Sequence, residues 1–477
     1  FNTEKNTNKW AWTAEIKSVP DFKCISPKQI TMYIASKNNG FGNAIYLQIP
    51  RIKQPIPLFI VFRAIGINTD KAICELIVLN LDNKLEQTET LKLLVSLRAS
   101  IVESNDYLTQ ESAIQYITTH AMYTPLNMEK DAGQIKKQDF TKSVLETDLF
   151  PHCHNMEQKR FFLGYMTNRL LRTSFGWEPV DDRDSYLNKR IDLVGTLLNN
   201  LFRNYFNKVG KDMQKQIVRE INNGSWRSTD DYKNIVNHTN IYKIIKSITI
   251  ENGLKRALAT GDFGIKQSSS TKVGVAQVLN RLTYIGSLSH LRRISTPIDK
   301  SGKLVPPRKL HNTSWGYLCP AETPEGHSVG VVKNLAYLTH ITIQSNSAPL
   351  YDYTEPYITT FEKLTPEERQ QGVKVFVNGC WLGNAKDANE LYTSLKQKKY
   401  KGIINIYTAI TLDIKHKELR ICNEAGRPTR PVMRVKNNTL RITKEHIINL
   451  RSKKIGWDEL LTDMTNDNSV VEYIDPT

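Results

Sequence analysis

The sequence predicts an α+β protein made of several domains. Its 477 residues are enough to bury about three or four separate cores. Apolar residues recur at helical spacing between residues 155 and 217, whereas beyond residue 340 the pattern changes to short strands. Loops rich in Gly and Pro lie between these parts. No apolar run approaches the roughly 18–20 residues of a membrane span, so the sequence does not favour a membrane protein.

Residues 1–150 mix short strand and helix patterns. Residues 45–49 and 58–62 predict strands, and residues 70–79 predict a short helix. Between residues 155 and 175, apolar side chains such as Phe162 and Met166 are spaced as on one face of a helix.

The middle of the chain has a mainly helical pattern. Residues 191–217 predict a long amphipathic helix, whose Leu and aromatic stripe we interpret as core packing. Residues 222–240 are polar and predict a loop. Residues 275–291 predict another helix. Its inward-facing positions would be Val278, Leu279, Leu282 and Leu288.

Beyond residue 340, strand patterns predominate. The dipeptide Asn378-Gly379 in an alternating segment predicts a two-residue hairpin turn. Residues 386–396 predict a short helix, and the β-branched segment 403–412 predicts a strand.

The charge of the chain points to acidic partners. A formal net charge of +17 and a sequence pI of about 9.4 suit phosphate backbones, acidic proteins or anionic surfaces. A merely soluble basic surface is the alternative on charge alone.

The cysteines favour a reducing, intracellular compartment. They are widely scattered and form no C-x-x-C pair, which argues against a disulfide scaffold or a zinc ribbon. The chain begins at Phe1 without a signal-peptide pattern and ends at Thr477 without an evident closing element. We therefore expect it to be a piece of a larger protein.

The most informative segment is HNTSWGYLCPAETPEGHSVGVVKNLA, residues 311–336. Its Gly and Pro residues force turns, so Glu322 and Glu325 are expected on a tightly specified loop rather than on a helix face. A basic loop that is also rich in Gly and Pro, residues 292–309, comes directly before it. This combination suits a surface that meets nucleic acid beside an active centre.

These segments resemble a known family. SHLRR (289–293), TPIDKSGKLVPPRKLHNTSWG (296–316) and CPAETPEG (319–326) resemble the fork region of the second-largest subunit of multisubunit DNA-directed RNA polymerases, in its eukaryotic form. Further segments resemble that subunit in the family's order: 52–67, 161–171, 181–193, 257–264, 375–383 and 417–432.

The resemblance implies four domains. They are a mixed α/β lobe with its start missing (1–187), a helical C-terminal part of the protrusion (188–245), a fork with a long helix and loops (246–342), and a small α+β external 1 domain (343–477). The hybrid-binding region, the wall and the clamp would lie beyond Thr477, with most of the family's active-centre residues on this subunit.

The family's chemistry is in-line attack on a nucleotide phosphate with two metal ions. The resemblance implies Mg²⁺ held mainly by aspartates of the largest subunit, and no cofactor bound by this chain. The acidic segment 181–184 contains Arg183 and is followed by Lys189 and Arg190, so we interpret it as a charge-compensated corner. His152-Cys153-His154 has ligand residue types, but adjacent side chains splay apart, and zinc is not favoured.

Glu325 is the candidate catalytic residue, in a supporting role rather than as a metal ligand. The resemblance implies that it lies near the active centre and bears on trigger-loop closure and nucleotide addition. The alternative is that its carboxylate caps backbone N–H groups of the loop. Glu322 is expected to be structural.

A basic set is the candidate nucleic-acid surface, because cations neutralise phosphates without reading sequence. The resemblance places its central part, residues 295–307, near the downstream edge of the bubble. A solvated basic loop is the alternative. Asp299 and Ser301 depart from the nuclear pattern. The set comprises Arg292, Arg293, Lys300, Lys303, Arg308 and Lys309.

Two further sets complete the candidate site. Gln277, Asn280, Arg281 and His290 would lie on a helix facing the RNA–DNA hybrid, partly core and partly contact. His311 and Trp315 would pack to fix the loop, in a structural motif with Glu322, Pro324 and Gly326. Ser314 replaces a His that is common in nuclear homologues.

The sequence thus predicts part of the second-largest RNA polymerase subunit, forming one side of the DNA cleft and inactive alone. The alternative is a split or degenerate non-catalytic module for binding or assembly. Expected partners are the DNA template, the RNA–DNA hybrid, the largest subunit and the smaller subunits, with no membrane. The composition is rich in Asn, Lys and Ile, so we expect a location in the nucleus, or in a viral factory or virion if a large DNA virus encodes the chain.

Overall fold

The computed structural model forms two compact units. The larger unit comprises Phe1–Arg190 and His340–Thr477, and the smaller unit comprises Ile191–Thr339. Helices and several separate sheets confirm the predicted α+β multidomain class. The described residues are 2–5, 9–21, 25–81, 87–124, 129–223, 238, 241–264, 273–298, 302, 304–463 and 469–477.

The first part of the larger unit is an antiparallel sheet followed by helices. The strands pair in chain order and are β1 (Asn2–Lys5), β2 (Trp10–Ser18), β3 (Lys28–Ala35), β4 (Ile45–Gln48) and β5 (Ile56–Pro57). The helices are α1 (Leu58–Ala64), α2 (Asp70–Val78), α3 (Gln87–Glu103), α4 (Gln110–Thr119), α5 (Lys130–Thr147) and α6 (Met156–Ser174).

Helix α6 shows how local sequence and packing agree. Asn155 caps its first turn by accepting a hydrogen bond from the Gln158 amide at 2.8 Å. A Cβ atom on Gly164 would lie 2.3 Å from the Leu76 carbonyl oxygen, so glycine allows α6 to pack closely against α2. The predictions for β4, α2 and α6 are confirmed.

The strand predicted at residues 58–62 is wrong, because this segment is helix α1. All seven of its residues are buried, and a short, continuous apolar run has no periodicity that separates a buried strand from a buried helix. Burial extends to Arg63, whose guanidinium donates to the Tyr107 carbonyl at 3.0 Å and to Asp70 at 2.5 Å.

The smaller unit is built from helices, one ribbon and short 3₁₀ turns. Its helices are α7 (Val194–Asn223), α8 (Ile241–Ile244), α9 (Ile248–Thr260) and α10 (Tyr284–Leu291), and its ribbon strands are β6 (Arg293–Ser295) and β7 (Val332–Asn334). The 3₁₀ turns are Pro306–Arg308, Asn312–Ser314 and Gly326–Ser328.

The long helix predicted at residues 191–217 is confirmed as α7, but only part of its apolar stripe packs. Leu201 is buried with Ala257 and Phe263, whereas Phe202 is 48% exposed and Phe206 is 60% exposed. Core packing therefore covers one edge of the stripe. Most of the polar break at 222–240 lies outside the described residues.

The helix predicted at residues 275–291 is too long, because only Tyr284–Leu291 is helical. Thr283 accepts a hydrogen bond from the Gly286 amide at 3.0 Å, which starts the helix there. Val278 and Leu282, predicted to face inward, are 95% and 91% exposed. Without a packing partner, their helical spacing supplies no burial to extend the helix.

The second part of the larger unit contains two sheets, a ribbon and several helices. Its strands are β8 (His340–Ile341), β9 (Ile358–Thr359), β10 (Lys374–Val377), β11 (Cys380–Ala385), β12 (Ala409–Asp413), β13 (Glu418–Cys422), β14 (Pro428–Met433), β15 (Val435–Lys436), β16 (Thr439–Leu440) and β17 (Val471–Ile474). Its helices are α11 (Ala348–Thr354), α12 (Pro366–Gln371), α13 (Ala388–Tyr400), α14 (Lys444–Arg451) and α15 (Asp458–Leu461).

The first of these sheets has the order β12-β13-β10-β11-β9, and β10 and β13 are parallel. The second has the order β17-β14-β8, and the ribbon is β15-β16. The predicted hairpin is confirmed, because Asn378 and Gly379 join β10 to β11 with φ angles of 49° and 82°. The helix at 386–396 is confirmed as α13. The strand at 403–412 is confirmed only in its last part, β12.

One hydrophobic core joins the two parts of the larger unit. Trp381 is fully buried, with its ring centroid 6.0 Å from that of Phe161 and 5.0 Å from that of Phe361. Residues predicted to belong to the lobe and to the external 1 domain therefore share a core. The four domain limits stay a prediction.

The acidic corner at residues 181–184 is charge-compensated, as predicted. Asp181 pairs with Arg169 at 3.6 Å, Arg183 with Glu15 at 3.4 Å, and Lys189 with Asp184 at 3.5 Å.

Candidate functional site

A two-stranded ribbon brings the basic loop beside the segment that contains Glu325. Strands β6 and β7 are antiparallel, with Arg293 opposite Asn334. The Thr296 amide donates to the Val331 carbonyl at 3.1 Å and extends this pairing. The start of the basic loop and the end of the turn at residues 322–330, here called the glutamate turn, are thus held together.

Asn334 anchors the other end of the glutamate turn. Its side chain is buried and donates to the Glu322 carbonyl at 3.2 Å. Its own carbonyl accepts from the Cys319 amide at 2.9 Å. Within the turn, the Thr323 hydroxyl donates to the Val332 carbonyl at 3.1 Å and accepts from the Gly330 amide at 2.9 Å.

The two glutamates of the turn differ in their contacts. The Glu322 carboxylate accepts a hydrogen bond from the Ser289 hydroxyl of α10, in agreement with a structural role. Glu325 is exposed and is the N-cap residue of the 3₁₀ turn Gly326–Ser328, but its side chain makes no capping hydrogen bond. The capping alternative is therefore not what this conformation shows. Among the described residues, the Glu325 carboxylate has no hydrogen-bond or ion-pair partner.

The chain matches families of known proteins. Three families match: RNA polymerase Rpb2, domain 2, at residues 24–192; domain 3 at residues 277–341; and domain 4 at residues 375–436. Together these matches cover more than half of the chain and include the ribbon and the glutamate turn.

The chain is also similar in sequence to individual RNA polymerase subunits. The chain is 36% identical to DNA-directed RNA polymerase II subunit 2 of Arabidopsis thaliana, over 99% of the chain and 38% of that protein. It is 36% identical to the RNA polymerase II subunit RPB2 of Schizosaccharomyces pombe, over 98% and 38%. It is 32% identical to RNA polymerase subunit 2 of Acanthamoeba polyphaga mimivirus, over 99% and 39%.

This chain belongs to the family of second-largest subunits of DNA-directed RNA polymerases. It is of the eukaryotic and viral type. It spans 38% of the length of the RNA polymerase II subunits described above.

The basic residues predicted to meet nucleic acid in this polymerase subunit differ in their surroundings. Arg281, Arg293 and Lys309 are exposed, and their side chains have no hydrogen-bond or ion-pair partner among the described residues. Arg292 and Arg308 are half-buried, and their guanidinium groups donate to backbone carbonyls. Lys300 and Lys303 lie outside the described residues.

His290 organises the segment that precedes α10. Its Nδ1 accepts from the Asn280 amide at 3.1 Å, which leaves Nε2 to donate to the Gln277 side chain at 2.9 Å. Gln277, Asn280 and Arg281 do not lie on a helix, which corrects the sequence-based expectation. Local side-chain bonds to the backbone hold this segment instead.

The remaining motif residues behave differently from one another. The ring of His311 caps the 3₁₀ turn Asn312–Ser314 by accepting from the Thr313 amide at 3.1 Å. Trp315, expected to pack, is 81% exposed, because the turn directs Ser314 inward and the tryptophan outward. Gly326 has a φ of 76°, which favours glycine, and Pro324 is half-buried beside it.

Sequence reasoning did not identify Ser289, Thr323 and Asn334 as positioning residues. Their only signal is chemical type: short polar side chains beside a turn rich in Gly and Pro can replace backbone hydrogen-bond partners. Which partners they take depends on the ribbon pairing, which the sequence does not reveal.

Two properties of the described part of the chain concern other kinds of site. No three of its His, Cys, Asp and Glu residues are grouped so that they could hold a metal ion. No helix there is long and apolar enough to cross a membrane.

Proposed function

We propose that this chain forms one side of the DNA cleft of a DNA-directed RNA polymerase and supports template-directed RNA synthesis. In this proposal the fork, residues 246–342, contacts the downstream bubble and the RNA–DNA hybrid. Family membership and a net charge of +17 support it. Since the chain spans 38% of its relatives' length, the activity is proposed for the subunit within its complex, with the largest and smaller subunits as partners. The chain alone would be inactive.

The exposed Glu325 carboxylate, which has no hydrogen-bond or ion-pair partner among the described residues, is the observation that carries the proposal. Residues around it are tied to the ribbon and to α10, yet its own carboxylate is exposed and is not used as a cap. A carboxylate on such a fixed turn is preorganised to interact with groups outside this chain. We assign it the supporting role that the resemblance implies, beside the nucleotide and the trigger loop.

The exposed cations supply the nucleic-acid contact in this proposal. Arg281, Arg293 and Lys309 would neutralise phosphates of DNA or of the hybrid and release counterions, without reading sequence. Lys300 and Lys303 remain predicted members of the same surface.

The complete enzyme is expected to use Mg²⁺ for the displacement at phosphorus. The described residues of this chain offer no group of ligands for it, and we place the ion mainly on the largest subunit. No chemical step is assigned to a metal on this chain. A nuclear location, or a viral factory or virion, agrees with the eukaryotic and viral relatives.

The test is single-nucleotide addition by the assembled polymerase with Glu325→Ala and Glu325→Gln. We expect both variants to change the elongation rate by about tenfold, since groups that support the reacting centre contribute about that much or more. Because Gln keeps the size of the side chain but loses its charge, similar effects of both variants would assign the role to the charge.

Glu367→Ala is the matched control. Glu367 is also an exposed glutamate, in helix α12 of the larger unit, and its loss should leave elongation unchanged. Wild-type rates and fidelity for Glu325→Ala would contradict the proposed role of Glu325.

A further inference from the structure

Arg308 holds two segments of the backbone together. Its Nε donates to the Leu304 carbonyl at 3.2 Å and its Nη2 to the Gly302 carbonyl at 3.0 Å. Its Nη1 donates to the His327 carbonyl at 2.6 Å and to the Val329 carbonyl at 3.0 Å. The first two acceptors lie in the basic loop, and the last two lie in the glutamate turn.

The chemistry of arginine suits this arrangement. Its planar guanidinium carries five N–H donors in a fixed geometry, so one side chain can serve several carbonyls in different directions. A carbonyl in an irregular loop has no ladder partner and gains from a charged donor. These bonds direct Arg308 toward protein backbone rather than toward a phosphate.

Two further contacts join the same segments. Gly330 lies so close to the basic loop that a Cβ atom there would be 2.1 Å from the Arg308 carbonyl oxygen. The Lys333 ammonium of β7 donates to the Pro307 carbonyl at 3.1 Å. The segments 304–309 and 327–333 therefore pack together, and the Arg308 side chain links the first segment to the second.

We propose that Arg308 is a positioning residue that couples the basic loop to the glutamate turn. Nucleic acid that displaces the loop at Gly302 and Leu304 would pull, through the guanidinium, on the backbone next to Glu325. The predicted role of Arg308 as a phosphate ligand is thereby replaced with a role in the placement of Glu325. The link to nucleotide addition rests on the proposed function, whereas the backbone coupling does not.

The experiment compares Arg308→Ala, Arg308→Lys and Lys309→Ala in the assembled polymerase. Lys309 is the matched control, because it is the adjacent cation and is exposed. One measurement is hydrogen exchange of the peptide covering residues 326–332, and the other is the salt dependence of binding to a DNA bubble.

Arg308→Ala should accelerate exchange in residues 326–332 by about tenfold, because charged hydrogen bonds that close the turn are lost. It should leave the salt slope unchanged. Arg308→Lys should rescue exchange only in part, since one ammonium cannot reach carbonyls in several directions. Lys309→Ala should leave exchange unchanged and reduce the salt slope by about one.

The coupling is overturned if Arg308→Ala leaves exchange in residues 326–332 unchanged or reduces the salt slope by about one. Nucleotide addition separates this result from the proposed function. If Arg308 acts through Glu325, the double variant Arg308→Ala/Glu325→Ala should add nucleotides no more slowly than Glu325→Ala alone. Wild-type addition by Glu325→Ala would remove the proposed role of Glu325 and leave the exchange result standing.

Discussion

Helix α1 in the larger unit is buried at every position, whereas helix α10 in the smaller unit buries only Ser287. Both are short and largely apolar. On α10, Tyr284 is 80% exposed and Ile285 is 76% exposed. Apolar character therefore sets what a segment can bury, and its neighbours decide what it does bury. The larger unit contains an extensive hydrophobic core, whereas in the smaller unit α10 leaves apolar side chains exposed.

The largest difference in stability should be between variants of two tryptophans, one buried in the larger unit and one exposed in the smaller unit. Trp381→Ala should destabilise the larger unit by about 3–5 kcal/mol, because a fully buried aromatic side chain leaves a cavity. Trp315→Ala removes a side chain that is 81% exposed and should change stability by about 0.5 kcal/mol or less. Urea unfolding followed by circular dichroism measures both. Equal losses would break the comparison.

Two glycines of the smaller unit allow a second comparison, between a closely packed position and an open one. Gly330→Ala should destabilise the glutamate turn by about 2–4 kcal/mol, since it adds overpacking against the Arg308 backbone to the strain of a φ of 67°. Gly326→Ala has similar strain, with a φ of 76°, but meets nothing within 4 Å and should cost about 1 kcal/mol. Thermal unfolding of the two variants would show the difference. A larger loss for Gly326→Ala would contradict the close packing at Gly330.

A smaller effect concerns His152, whose ring packs edge-on against Phe150 and Phe162. Burial lowers the pKa of His152 to about 3 from its ordinary 6.5, so the folded state holds the neutral ring and the unfolded chain takes up the proton first. The stability that the neutral ring maintains is complete above pH 6.5 and is lost as pH falls toward 3. Between pH 7 and pH 5 the loss should be about 2 kcal/mol.

The variant His152→Leu tests this dependence. Its free energy of unfolding should fall less than that of the wild type between pH 7 and pH 5, because the buried titrating ring is gone. Parallel curves for the two proteins would mean that His152 does not titrate on unfolding in this range.

Much of the fold follows from local signals, and particular segments show where those signals fail. The helix α6 has both a spaced apolar face and a capping residue, and the hairpin between β10 and β11 has the Asn-Gly pair that its turn requires. The segment that became α1 has only an uninterrupted apolar run, which fits a strand or a helix equally well. Between residues 275 and 283 the helical spacing is present in the sequence, but Val278 and Leu282 are exposed, so their burial does not stabilise a helix there.

Some features of the candidate site could be predicted from the sequence, and others could not. The residue types around Glu325, and the turns that Gly and Pro impose, could be read from the chain. The hydrogen bond from the Ser289 hydroxyl that distinguishes Glu322 from Glu325 could not, because Ser289 lies 33 residues away in sequence. The described carbonyls that accept from Arg308 likewise come from two segments, which are far apart in sequence.

The sequence by itself determined the family, the α+β class, the helices and turns with their own start and stop signals, and the basic character of residues 292–309. Only the tertiary structure decided which apolar segments are buried, which arginines serve the backbone, and which of the two glutamates accepts a hydrogen bond from Ser289. The physical reason is range: capping, turn geometry and periodicity depend on residues a few positions apart. Burial and hydrogen-bond pairing depend on residues that meet only after the chain has folded.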